Sequence, residues 1–143
     1  MQANGIASAV LFSCLLLAAS LWDVRKRVIP DTICAAIALA GLLTFTPGKL
    51  AGILLGLPLL IAALVKEGGM GGGDVKLAAA SGLVLGLPAG CAGLVLGLSA
   101  VLVWHFAARG LRRLRGRPVP PVDAAALPLA PFLSAGFIAA TFL

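Results

Sequence analysis

Residues 4–22 read NGIASAVLFSCLLLAASLW. The run holds 19 residues and no Asp, Glu, Lys or Arg. At ~1.5 Å rise per residue, an α-helix of this length extends about 28 Å, close to the ~30 Å hydrocarbon core of a bilayer. The rest of the 143-residue chain shares this character: 61% of residues are hydrophobic, 11% are charged, and mean hydropathy is +1.11. Soluble domains average roughly 45–50% apolar and ~25% charged residues. An ordinary soluble domain is therefore excluded, and so are disordered, collagen-like and coiled-coil chains. A membrane β-barrel would alternate in ~10-residue strands, whereas these apolar runs are unbroken and rich in Leu, Ala and Gly. The expected fold class is all-α, a polytopic membrane helical bundle of about six transmembrane helices, with residues 1–143 forming one domain.

Working outward, six apolar stretches are read at about 4–22, 32–46, 50–65, 75–88, 91–108 and 124–143. The second to fourth are short for a bilayer. They either borrow flanking residues or stop short of a full crossing. The short connections carry an uneven charge. Arg25, Lys26 and Arg27 follow the first stretch, Lys66 and Lys76 flank the third connection, and Arg109, Arg112, Arg113, Arg115 and Arg117 fill the fifth. The second connection has only Lys49, and the fourth, Pro88-Ala89-Gly90, has no basic residue. Ten of the eleven basic residues thus fall on odd-numbered connections. The positive-inside rule places these in the cytoplasm and both termini outside it. The net charge of +6 is assigned to this membrane edge and not to nucleic acid binding.

No Lys or Arg precedes the first stretch, and the basic cluster follows it. An uncleaved first helix is expected, not a signal peptide. Cys14, Cys34 and Cys91 lie in apolar runs without a CxxC pair, so neither a disulfide framework nor a zinc site is expected. Trp22 and Trp104 suit interface anchors, and His105 suits packing near the cytoplasmic end of the fifth helix. The Arg112–Arg117 run suits anionic head groups or simple topology determination. Gly52 with Gly56, Gly82 with Gly86 and Gly93 with Gly97 have the spacing of close helix packing. On that reading Gly82→Ala acts through packing and is partly tolerated.

Five acidic residues exist: Asp23, Asp31, Glu67, Asp74 and Asp123. Ionisable groups at membrane depth cost at least ~2.5–3.5 kcal/mol at a helix centre, so they usually serve a purpose. Asp23 ends the first helix and Asp74 enters the fourth. The charge-derived topology puts both at the cytoplasmic edge. Two carboxylates that meet share a proton; one then acts as base on a water while the other polarises a carbonyl. The bland alternative is that each caps a helix or pairs with Arg25 or Lys76. Asp31 is expected as the N-cap of the second helix, Asp123 as the cap of the sixth, and Glu67 as a solvated loop charge. The glycine run 68–73 lacks the Lys-Ser/Thr of a phosphate loop. It reads as a linker, or as backbone laid close to a substrate strand or another helix, exposing Asp74.

These residues resemble a family. Asp23-Val24-Arg25-Lys26-Arg27-Val28-Ile29-Pro30-Asp31 is similar to the first signature of type IV prepilin peptidases. Gly71-Gly72-Gly73-Asp74-Val75-Lys76 is similar to the second, Gly-x-Gly-Asp-x-Lys, with Gly71 and Gly73 as its glycines. Leu127-Pro128-Leu129-Ala130-Pro131-Phe132-Leu133 resembles the family's late Pro-x-x-Pro segment. The resemblance implies a membrane aspartyl protease of the GxGD type with Asp23 and Asp74 as the catalytic pair. Asp31, Lys76, Gly71, Gly73 and Pro30 would then be supporting or substrate-binding. The implied partners are precursors of pilins or pseudopilins, of pili or type II secretion, whose short basic leader is cut at the cytoplasmic membrane face. No cofactor or metal is implied.

Larger members carry an additional N-terminal segment with paired CxxC motifs and N-methylate the new terminus. This chain lacks CxxC and resembles the short forms of Tad-type pili and archaeal preflagellin processing, which puts methyltransferase activity in question. The rival reading is a small proton- or ion-coupled carrier or accessory subunit that uses Asp23 and Asp74 for protons. Carrier sites lie near the bilayer midplane, whereas both aspartates map to one edge.

Overall fold

The computed structural model describes residues 2–65, 71–119 and 129–143. The described residues are helical and include no strand. The chain is an all-α, membrane-type helical bundle. Helix α1 spans Gln2–Lys26, α2 Asp31–Leu43, α3 Gly56–Val65, α4 Gly72–Leu85, α5 Leu87–Leu114 and α6 Ala130–Phe142, with a 3₁₀ stretch over Pro47–Leu55 running into α3. Among the described residues, three segments are long and apolar enough to cross a membrane: Gly5–Lys26, Pro47–Val65 and Leu87–Leu114. The 3₁₀ stretch rises ~2.0 Å per residue, so the composite third segment reaches about 33 Å where a pure α-helix would reach about 28 Å. Large side chains such as Leu64, Val103 and Phe106 point outward, as a bundle in lipid requires.

Each helix buries one stripe. On α1 it is Phe12, Leu16, Ala19 and then Asp23; on α4 it is Asp74, then Leu77, Ala78 and Ser81; on α6 it is Ala130, Leu133, Phe137 and Ala140. The spacings of three and four residues are those of a helix face. Both aspartates therefore continue apolar stripes that point into the bundle.

Small residues set the distances between helices. Gly52 and Gly82 meet backbone to backbone, so that a Cβ on either would collide with the other's carbonyl. The expectation that Gly82→Ala is partly tolerated is thereby corrected, because backbone cannot move aside as a side chain can. Gly93 and Gly97 of α5 pack on Phe132, Leu133, Phe137 and Gly136 of α6. Gly86 does something else. It holds φ +82° and is the whole connection between α4 and α5. The expected connection Pro88-Ala89-Gly90 lies inside the first turn of α5, where Pro88 is tolerated because that N–H needs no helical partner.

Other boundaries also move. α1 continues one turn past Trp22, and α5 runs to Leu114, ending where Gly116 at φ +64° accepts the left-handed turn. α6 begins at Ala130, not 124, with Pro131 in its first turn. The cap role of Asp123, the loop role of Glu67, Lys66, residues 68–70 and Pro128 lie outside the described residues.

Helices α2 and α4 run parallel. Asp31 meets Lys76 at one end, and Gly41 meets Leu83 and Val84 a helix length further on. Since α1 returns into α2 through only residues 27–30, the C-terminus of α1 and the N-termini of α2 and α4 share one end of the bundle.

Candidate active site

That shared end is assembled by a short turn. Arg27 adopts φ +53°, the left-handed conformation that closes α1, and its N–H donates to the Asp23 carbonyl at 2.7 Å. The turn lays buried Ile29 against the first turn of α4. A Cβ on Gly73 would sit 2.9 Å from Ile29 Cβ, so glycine is the residue that lets these two segments touch. The close approach at Gly73 is made to the Ile29 side chain in the turn between α1 and α2, where the sequence suggested a substrate strand or another helix. Ile29 was not singled out from the sequence; its signal was an apolar pair, Val28-Ile29, set between the basic run Arg25–Arg27 and Pro30.

Pro30 is the N-cap residue of α2 in extended conformation, and its carbonyl accepts the Ile33 N–H at 3.1 Å. The expectation that Asp31 is the N-cap is corrected. Asp31 is the first helical residue, and no side chain caps the helix. Proline's fixed φ already suits the cap position, which leaves the Asp31 carboxylate free to reach across to α4. Lys76 Nζ donates to Asp31 Oδ1 at 2.8 Å. Gly71 is the N-cap of α4, and its carbonyl accepts the Asp74 N–H at 3.1 Å.

Asp23 and Asp74 are each buried to 8% exposure. Asp23 Oδ2 and Asp74 Oδ1 are buried and lack a hydrogen-bond partner among the described residues. Buried polar atoms are normally paired, and an unpaired carboxylate oxygen is costly. Two such atoms at one end of a bundle mark a place kept for something other than stability. Asp74 lies ahead of the apolar run of α4, outside the three spanning segments. Burial pushes its carboxyl up to about 6, and the charge of nearby Asp23 adds to the rise. A buried carboxyl raised toward neutrality beside a second carboxyl is an arrangement that acid–base chemistry uses.

The sequence matches the type IV leader peptidase family over residues 10–111. The chain belongs to the type IV leader peptidase family. The match takes in both carboxylates, the Arg27–Pro30 turn and Lys76, and ends within α5. No curated protein and no solved structure matches the chain. As a leader peptidase it must bring water to a peptide bond at a membrane.

α6 lies beyond the matched residues but closes the same bundle. Ser134 Oγ donates to the Leu16 carbonyl at 3.2 Å, where Ser20 Oγ also donates at 2.9 Å. The Ser134 hydroxyl joins α6 to α1 two turns from Asp23, while that of Ser20 stays within α1. Ser20, Ser81 and Ser134 are buried polar residues that the sequence reading did not single out; in an apolar chain they look like small packing residues.

Proposed function

We propose that the protein is an aspartyl endopeptidase of the cytoplasmic membrane that removes the short basic leader of pilin-like precursors, with Asp23 and Asp74 as its acid–base pair. One observation carries this reading: two buried carboxylates, delivered by separate helices to one end of the bundle, each with an unpartnered oxygen. The ionised carboxylate takes a proton from water, and the oxygen attacks the scissile carbonyl carbon. The protonated partner donates to the carbonyl oxygen, giving a tetrahedral diol. The pair then returns its proton to the amide nitrogen while a diol hydroxyl gives its own proton to the other carboxylate, so that the C–N bond breaks, a carboxylic acid product forms and one shared proton is restored. The two roles are interchangeable between Asp23 and Asp74.

The carboxylates sit on the last turns of α1 and the first turn of α4. That placement supports an edge-acting peptidase over a carrier with a midplane site. The excess of basic residues on the odd-numbered connections puts this edge in the cytoplasm. Gly71, Gly73 and Pro30 support the pair by shaping the ends of α2 and α4, and Asp31 and Lys76 stand beside it as substrate-binding residues.

The test is cleavage of a leader peptide fused to its apolar helix by purified protein in lipid. Asp23→Asn and Asp74→Asn are each expected to lower kcat at least ~10³-fold. The double variant should lose little more, because either change disables one unit. Substantial cleavage by either single variant would remove the pair from the mechanism.

A further inference from the structure

Asp31 is the exposed carboxylate among the described residues, at 74%, while Asp23 and Asp74 are buried. Around it on the same end stand Arg25, Lys26 and Arg27, all exposed. The molecule neutralises Asp31 itself, through Lys76 at 2.8 Å. Lys76 is 57% exposed and reaches out from α4 only two residues beyond Asp74. An exposed pair of long side chains gains little net stability, since water screens it and holding it costs rotamer freedom. Asp31 also stands in the first turn of α2, whose N-terminal dipole favours its charge whether or not Lys76 is there. The carboxylate is thus held in place while its cation is easily given up.

The pair stands at the mouth of a groove of about 430 Å³ between α2 and α4. Behind Asp31 and Lys76 the groove is walled by apolar and small residues, Cys34, Ala35, Ala38, Ala79 and Leu83 among them. A cation binding at the mouth can therefore be followed by apolar residues within the groove.

We infer that the Asp31–Lys76 pair is exchangeable: a cationic side chain of the peptide substrate displaces Lys76 and takes Asp31, while the apolar residues that follow it enter the groove. Asp31 is then a specificity-determining residue, and Lys76 is an internal competitor that an uncharged segment cannot displace. This inference rests on the peptidase reading and adds to it which residue reads charge.

The test uses protein in lipid nanodiscs and two fluorescent peptides, each an apolar helix preceded by a leader with either lysine or glutamine before the cut. A mere strut between α2 and α4 fails the same way whichever partner is lost. Exchange makes the two losses opposite. Asp31→Asn should raise KM for the lysine peptide about threefold to tenfold, as loss of a charged hydrogen bond at an exposed site does, and move the glutamine peptide little. Asp31→Glu should restore the preference. Lys76→Met should lower KM for the lysine peptide. Equal increases for both variants and both peptides overturn the inference. If the wild type cleaves neither peptide, the peptidase reading fails. Peptide Kd by anisotropy then decides the inference alone: lysine preference erased by Asp31→Asn upholds it, and equal Kd values overturn it.

Discussion

Ile29 and Gly73 show how narrowly the site is specified at the scale of single residues. The Ile29 side chain branches at Cβ, so it cannot swing away from a methyl placed 2.9 Å off. Gly73→Ala is expected to cost about 1–3 kcal/mol through overpacking and to lower cleavage at least tenfold at equal amounts of inserted protein. Gly72→Ala meets nothing within 4 Å and serves as the control; equal activity of the two variants would separate Gly73 from the site. Asp74 carries the second expectation. Its carboxyl titrates at about 6 in the folded protein, above its ordinary 3.8. The folded state thus binds the proton more tightly than the unfolded chain. The stability this contributes is complete below about pH 4 and is lost as pH rises through about 6. Asp74→Asn, which cannot ionise, should be more stable than wild type by about 1–3 kcal/mol at pH 8 and indistinguishable near pH 4. Thermal unfolding in detergent at the two pH values checks this; a gain that does not depend on pH would mean that charge is not the cause.

At the scale of elements, glycines decide which helices touch. Gly82 and Gly52 bring α4 and the 3₁₀ stretch into backbone contact, and neither chain can yield to a Cβ. Gly82→Ala should destabilise by at least about 2 kcal/mol, while Gly48→Ala, with open space around it, should be neutral. Thermal unfolding of the two variants in the same detergent distinguishes them, and a tolerated Gly82→Ala would mean that the two elements are not in contact. The existence and order of the six helical stretches were legible in the sequence, because apolar runs in a helix-forming composition leave no other way to satisfy the backbone in lipid. Their ends were not. Pro88 looked like a break but lies in the first turn of α5, and Gly86 looked like a packing residue but is the break. A proline in a helix's first turn and a proline in a loop carry the same letter, and only the backbone path tells them apart.

At the scale of the whole molecule, the end that holds the carboxylates also gathers, among the described residues, Arg25, Lys26, Arg27, Lys76 and the arginines that end α5. In a cysteine-free background, Gln2→Cys is expected to react with an impermeant maleimide from outside the cell, and Arg117→Cys only after the membrane is opened. The reverse pattern would place the site outside and end the proposal of cytoplasmic cleavage. Composition alone determined that this chain is a membrane helical bundle, since 11% charge leaves too few polar residues to face water. The two signature stretches, from Asp23 to Asp31 and from Gly71 to Lys76, carried the family, because their residue types and order survive in the linear text. Tertiary structure decided the rest. It turned Asp31 from the expected cap into the partner of Lys76, set Ile29 on Gly73, and left one oxygen on each of Asp23 and Asp74 unpaired among the described residues. The Ile29–Gly73 and Asp31–Lys76 contacts join residues 44 and 45 positions apart. No local propensity records such a contact, because it exists only once the packing of α2 against α4 has fixed which faces meet.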